Sequence, residues 1–261
     1  MKINVASFNP MAADVAGNTD KILALLRSHA AHASLLVLPE AALCGCPLFD
    51  LFEDKPLLAE QLSALKKIAP ATKEQACVLG YADKQAGQVT TAAAFIYKGK
   101  ITKIFDSETI FFQSKNIQFV LSAPQDTSAD PAADLVVFLQ ARPYIKGNVT
   151  SRLDALKKFA KKNGVTCLLC NLLGGGDGMI FDGLAAAADA KGNLLYISEL
   201  FKEQVETFDT EEKTKPVSYH QPLMQELVEA LSFGLGDYVT KSGFDKVVVG
   251  VSGGIDSAVT A

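Results

Sequence analysis

The chain has 261 residues, 49% of them apolar, and a formal net charge of −4. That length holds one large α/β domain or two smaller ones with a substantial core. Charges of both signs are dispersed, which leaves no basic stripe for nucleic acid, and no apolar run approaches the roughly 20 residues of a membrane-spanning helix.

The N-terminus, Met1-Lys2-Ile3-Asn4-Val5-Ala6, reads as a first strand and not as a signal peptide. The five cysteines, Cys44, Cys46, Cys77, Cys167 and Cys170, are scattered and odd in number. Such a set points to a reducing cytoplasm. Cys167 and Cys170 have C-x-x-C spacing but sit in an apolar strand-like run. No second pair completes a metal site, so they read as small buried hydrophobes.

In chain order, the pattern predicts a strand at 3–8 and a helix at 18–33, capped by Asn18 or Thr19 with Ile22, Leu25 and Leu26 facing inward. A buried strand at 35–38 and a helix at 57–68 follow. Strands are expected at 77–81, 92–97 and 101–105, the last two joined by the turn Lys98-Gly99-Lys100. Further strands fall at 117–121 and 135–139. A basic amphipathic helix at 151–163 is closed by Gly164, and a hairpin pairs 184–188 with 194–198. Alternating elements of this kind make sheets covered by helices. The polar stretch Phe208–Val217, with Pro216, reads as a linker. A helix at 221–242 follows, with Leu223, Leu227, Leu231, Leu235 and Tyr238 along one face, and then a strand at 247–251.

The strand-like run Val247-Val248-Val249-Gly250-Val251 leads into Ser252-Gly253-Gly254-Ile255-Asp256-Ser257. A strand, a turn with two glycines and a helix start form a phosphate cradle, because backbone N–H groups at the turn can close on an anion. It is not a Walker A loop, since no lysine follows the glycines. The six residues resemble the S-G-G-x-D-S loop of the ATP pyrophosphatases, which cleave ATP between its α- and β-phosphates. In that reading Gly250, Ser252, Gly253, Gly254 and Ser257 hold the nucleotide, and Asp256 binds Mg²⁺, a cation that prefers carboxylate and phosphate oxygens.

Two earlier stretches extend the likeness. Leu38-Pro39-Glu40 ends a buried strand on a carboxylate. The run from Asn171 through Gly174, Asp177, Phe181, Asp182 and Gly183 is similar to the N-x-x-G-x-x-D-x-x-x-F-D-G run of nitrilase-fold amidases. Asp237-Tyr238-Val239 with Lys241-Ser242-Gly243-Phe244 is similar to the lead-in of a synthetase loop. The order of parts resembles glutamine-dependent NAD synthetase. The resemblance implies an α/β fold, a nitrilase-like α-β-β-α sandwich over 1–207. A linker at 208–216 and the first helix and strand of a Rossmann-like ATP-pyrophosphatase domain over 217–261 would follow. It implies ATP-dependent amidation of nicotinic acid adenine dinucleotide through an adenylated intermediate, with ATP and Mg²⁺ as cofactors and a homo-oligomeric assembly.

The same resemblance implies an amidase site of Cys nucleophile, Glu base and oxyanion-stabilising Lys. Glu40 matches the base. Where the nucleophile belongs, Ile117–Leu121 is followed by Ser122-Ala123, so Ser122 takes the position, or Ala123 in a register shifted by one. A serine hydroxyl is far harder for a carboxylate to activate than a thiol. Lys103 is the nearest oxyanion lysine, and a solvated lysine on an edge strand is its other reading. In the glutamine pocket Arg142 replaces a small serine, Asn148 replaces a basic residue, and Arg152 persists. The expectation is therefore an impaired amidase and ammonia as nitrogen donor. A non-catalytic scaffold, or an amidase with another nucleophile, are the alternatives. With the synthetase part cut at residue 261, this chain alone is expected not to make NAD.

Overall fold

The computed structural model describes residues 1–29, 32–212 and 214–261. The first sheet contains β1 (Lys2–Ser7), β2 (Leu35–Val37), β3 (Ala76–Gln85), β4 (Gln88–Tyr97), β5 (Lys100–Ile104) and β14 (Gln204–Asp209) in the order β14-β1-β2-β3-β4-β5. The second contains β6 (Ser107–Phe112), β7 (Lys115–Val120), β8 (Leu135–Gln140), β9 (Thr166–Asn171), β12 (Ala185–Ala188) and β13 (Leu194–Ile197) in the order β13-β12-β9-β8-β7-β6. Strands β1, β2 and β3 run parallel, as do β7, β8 and β9.

Side-chain alternation turns these sheets into the expected four-layer α-β-β-α sandwich. Ile3, Val5, Leu35, Val37, Ala76 and Val78 face Phe119, Leu135, Val137, Leu168 and Ala187 between the sheets. Their alternates Ala6, Leu36, Cys77 and Leu79 face helices α1 (Val15–His29) and α2 (Lys55–Ile68). Val136, Phe138, Cys167 and Leu169 face α3 (Asn148–Asn163). With both faces covered, central strands such as β8 read as unbroken apolar runs. Cys167 and Cys170 lie buried in β9, as small hydrophobes do.

Several expectations change. Helix α1 begins at Val15, where Asp14 Oδ1 accepts the amide of Gly17 at 2.9 Å. Asn18 and Thr19 are thus inside the helix and buried. Asn18 spans the loops, donating to Met11 O and Leu43 O and accepting from Met11 N. The helix's expected continuation through residues 30 and 31 lies outside the described residues. Strands β6 and β14 and the hairpin β10 (Leu173–Gly176) and β11 (Met179–Asp182) come without a clear apolar alternation in the sequence. β14 pairs antiparallel with β1, carrying the sandwich to Asp209.

Helix α4 (Leu223–Lys241) forms, and the face it buries is not the one that carries most of the leucine stripe. Glu226, Ala230 and Gly234 are buried, whereas Leu223, Leu231, Leu235 and Tyr238 are exposed. The reason is its seat on β10 and β11. A Cβ on Gly234 would come 2.6 Å from Ile180 Cδ1, and one on Gly175 would come 2.9 Å from Gly234 O, so the two elements touch through glycines. Polar groups complete the seat. Asp237 accepts from Gly175 N at 2.6 Å and Asn9 Nδ2 at 2.7 Å, Lys241 pairs with Asp237 at 2.7 Å, and Glu226 accepts from Tyr144 and Tyr219. The run 247–251 is exposed and pairs with no strand among the described residues. A strand needs a neighbour, and the strands of this chain are committed to other sheets.

Candidate functional site

Loops at the carboxyl ends of parallel strands carry Glu40, Ser122 and Arg142, the usual location of ligand sites in open α/β sheets. Glu40 follows β2 on a turn laid directly over β3. A Cβ at Gly80 would sit 2.4 Å from Glu40 Cα, so only glycine lets the turn approach. Gly80 N donates to Pro39 O and Leu43 N to Gly80 O, fixing that turn. The Glu40 carboxylate accepts the amide of Ala141, which follows β8 in the other sheet, at 3.1 Å. Burial raises the Glu40 pKa, while the Thr91 hydroxyl, the Ala141 amide and the Arg142 charge pull the other way. The result is a more basic carboxylate than an exposed glutamate.

Glu40 opens on a cavity of about 120 Å³ whose lining includes Cys44, Cys46, Tyr81, Thr91 and Ala141. Neither Lys103 nor Ser122 lines it. Lys103, on β5, is half-exposed and bonds Asp83 Oδ2 at 2.6 Å, and the Tyr81 hydroxyl donates to the same oxygen at 2.7 Å. Burial works to raise the Asp83 carboxyl, but these two partners hold it below the usual range. Ser122 is half-buried just beyond β7, and its hydroxyl makes no hydrogen bond among the described residues.

Arg142, Asn148 and Arg152 do come together. They line a second cavity, of about 270 Å³, with Ala123, Gln140 and Ile145. Behind it lies a buried polar hub. Asp182 pairs with Arg152 and accepts from Asn171 Nδ2 at 2.8 Å and Leu184 N at 3.0 Å. Asn171 in turn exchanges hydrogen bonds with the backbone of Arg142. The Asn171-to-Asp182 run therefore holds the pocket wall in place. Gln140 Oε1, Asn148 Oδ1 and Arg152 Nε and Nη1 are buried without partners. Unmet groups of both polarities give the pocket capacity for a small ligand that donates and accepts.

The Ser252–Ser257 segment is exposed throughout most of its length and stands apart from both cavities. Gly253 takes φ +87°, a conformation that favours glycine, and α5 (Ile255–Thr260) starts immediately after Gly254. Ser252 N donates to Ser257 Oγ, and the two serine hydroxyls meet at 3.1 Å. Both hydroxyls thus converge over the glycine turn. Gly250 precedes it with open space where a Cβ would stand. The Asp256 carboxylate makes no ion pair among the described residues, and no cluster of three or more His, Cys, Asp or Glu able to hold a metal occurs there. The donor set fits Mg²⁺ only together with phosphate oxygens, the manner in which that ion is ordinarily held.

Cys44 and Cys46, four and six positions beyond Glu40, line the same cavity, although the sequence pattern assigned them no part in it. Their signal was that short spacing on the loop carrying Glu40.

Residues 227–261 match the family model described as NAD synthase. Over 99% of its length the chain is 30% identical to a glutamine-dependent NAD(+) synthetase from Synechocystis sp.. It is 28% identical over its whole length to one from Thermotoga maritima. The alignments cover 56% and 57% of those relatives, so the chain spans about half the length of the curated relatives it matches. Among solved structures, a glutamine-dependent NAD+ synthetase from Acinetobacter baumannii in complex with ADP superposes with a TM-score of 0.87. It shares 24% identity, and the match covers 99% of this chain and 56% of that one. A nitrilase-superfamily amidase from Nesterenkonia AN1 superposes with a TM-score of 0.68 at 17% identity, over 79% of this chain and 89% of that one. The sandwich thus shares its fold with that amidase, and the chain that carries it is related along nearly its whole length to the glutamine-dependent NAD(+) synthetases.

Proposed function

We propose that the protein acts in NAD synthesis, with ATP, nicotinic acid adenine dinucleotide and ammonia or glutamine as reactants. The carrying observation is that a nitrilase-fold unit and the stretch matching NAD synthase lie on one chain, in the order of its relatives. The substrate carboxylate takes the AMP group of ATP, releasing pyrophosphate, and ammonia then displaces AMP. In this reading the sandwich, the linker expected at 208–216, whose first two residues belong to β14, and the stretch from 217 are separate functional parts. Ser252, Ser257 and the amides around Gly253 and Gly254 cradle the pyrophosphate, with Gly250 leaving room for the nucleotide. Mg²⁺ at Asp256 would neutralise phosphate charge. The protein is further proposed to work as a homo-oligomer.

We infer that the amidase half is impaired toward glutamine. Three features support this. Ser122 lies outside the Glu40 cavity, Lys103 is engaged by Asp83, and Arg142 brings a cation to the neighbouring pocket. Ammonia is then the effective nitrogen donor. The test is steady-state NAD formation by protein carrying this chain, with ammonia and with glutamine, beside a glutaminase assay. Ammonia-driven NAD synthesis without glutaminase activity is expected. Ser122-dependent release of ammonia from glutamine would overturn the impairment, and failure with both donors would leave a non-catalytic scaffold.

A further inference from the structure

A groove runs along one face of α3 and shares no lining residue with the Glu40 cavity. Its inner end is the cavity of about 270 Å³ beside Arg142, and its outer end is a cavity of about 470 Å³. Pro124, Gln125, Asn148 and Arg152 line both, so the two are continuous. Asn148, Arg152, Ala155, Lys158 and Lys162 recur every three or four residues, which is why one helix face supplies the floor.

The two ends differ in chemistry. At the inner end Gln140, 2% exposed, and Asn148 each hold a buried oxygen without a hydrogen-bond partner, and Arg152 holds two unpartnered groups, Nε and Nη1. Asp182 behind Arg152 neutralises its charge. Pro124, Pro143 and Ile145 add apolar wall. At the outer end Lys158 and Lys162 make no ion pair among the described residues, whereas Lys157 beside them is taken by Asp154. Arg142 adds a further cation, and no Asp or Glu lines either end, in a chain of net charge −4.

We propose that this groove binds a nucleoside phosphate, its phosphates on Lys158 and Lys162 and its nucleoside in the inner cavity. Amino and hydroxyl groups of the nucleoside donate to Gln140 Oε1 and Asn148 Oδ1. The lysines, like charges four residues apart, gain from an anion held between them. Length decides against a bare anion. Lys158 follows Asn148 by ten residues, about 15 Å of helix at ~1.5 Å per residue. Helical side chains lean back toward the N-terminus, which shortens that span to the reach of an extended nucleoside diphosphate. No residue of the Ser252–Ser257 loop lines the groove, so the site does not depend on the reading of that loop.

The experiment titrates ADP, without Mg²⁺ and at low salt, into the intact 261-residue chain by calorimetry. One ADP per chain is expected, bound more weakly as salt rises. Lys158→Gln and Lys162→Gln, both at exposed positions, should each weaken ADP and pyrophosphate at least about fivefold. Lys161→Gln, on the same helical turn but outside the groove, should change neither. Gln140→Leu removes the buried acceptor and should weaken ADP at least about fivefold. Its pyrophosphate affinity should stay unchanged, which also shows that the variant is folded. Absence of ADP binding would overturn the proposal. So would equal weakening by Lys161→Gln, which would reduce the groove to general surface charge. Loss of ADP in Ser257→Ala alone would place the nucleotide on the glycine loop, and displacement of ADP by glutamine would make the groove an amino-acid pocket; either result also overturns it.

Discussion

The amide of Ala141 donates to Glu40 Oε2 at 3.1 Å, and this bond joins the two sheets of the sandwich at the carboxyl ends of their parallel strands. Residues 101 positions apart in sequence are thereby made neighbours in one cavity. The bond also shows how Glu40 is kept ionisable despite its burial: the backbone N–H favours the charged form that desolvation opposes.

Glu40 should therefore lower stability at neutral pH. Its folded pKa is raised, so the native state holds the proton more tightly than the unfolded chain does. The associated stability is complete below the ordinary glutamate value of 4.5 and is lost as pH rises through the folded value. Glu40→Gln, which cannot ionise, should be the more stable of the two at neutral pH, seen as a higher Tm. Calorimetry across pH is the check. The gain should shrink toward pH 4, and a variant less stable at neutral pH would contradict the account.

Asp182 should be among the most costly positions to truncate. It is fully buried, pairs with Arg152 and serves Asn171 and the Leu184 amide. Asp182→Ala strands the Arg152 cation and should cost about 3–5 kcal/mol. Asp182→Asn retains an acceptor for Asn171 and Leu184, so its loss should be smaller. Urea unfolding midpoints would rank the two.

The glycine contact under α4 predicts unequal effects of two alanines. In Gly175→Ala the new methyl meets backbone, Gly234 O at 2.9 Å and Gly234 Cα at 3.0 Å. Neither atom can swing away, so the cost should be about 1–3 kcal/mol. In Gly234→Ala it meets the end of the Ile180 side chain, which can turn, and the helix gains up to ~1 kcal/mol from losing a glycine. Thermal unfolding should show the smaller loss for Gly234→Ala, and Ile180→Ala should rescue that variant but not Gly175→Ala.

The two faces of α4 should respond oppositely to substitution. Leu231 and Leu235 are exposed, so Leu231→Gln and Leu235→Gln should stay within about 0.5 kcal/mol of the parent. Asp237→Ala removes the acceptor of Gly175 N and Asn9 Nδ2 and the partner of Lys241. It should cost about 2 kcal/mol or more and loosen α4, which amide hydrogen exchange along 223–241 would report. A large loss from either leucine variant would mean that the helix is seated the other way round.

How much was legible in the sequence follows from what periodicity can report. Unbroken apolar runs such as Leu135–Leu139 announced strands covered on both faces, and the glycine-closed basic helix announced α3, because these signals arise within a few neighbouring residues. Glu40 at a strand end, the Asn171-to-Asp182 run and the Ser252–Ser257 turn were likewise readable, since short-range spacing constrains them. The stripe along α4 announced only that a face existed to be covered. Which face seats on the sandwich was decided by backbone contact at Gly175 and Gly234 and by Asp237, partners 59 to 62 residues away. The run at 247–251 has strand-forming side chains, yet a strand is completed by a neighbour and here none pairs with it. The Glu40 cavity is decided in the same way. The place of Glu40 at a strand end was written in the sequence, but the cavity it opens on depends on Tyr81, Thr91 and Ala141, which only the packing of two sheets brings together.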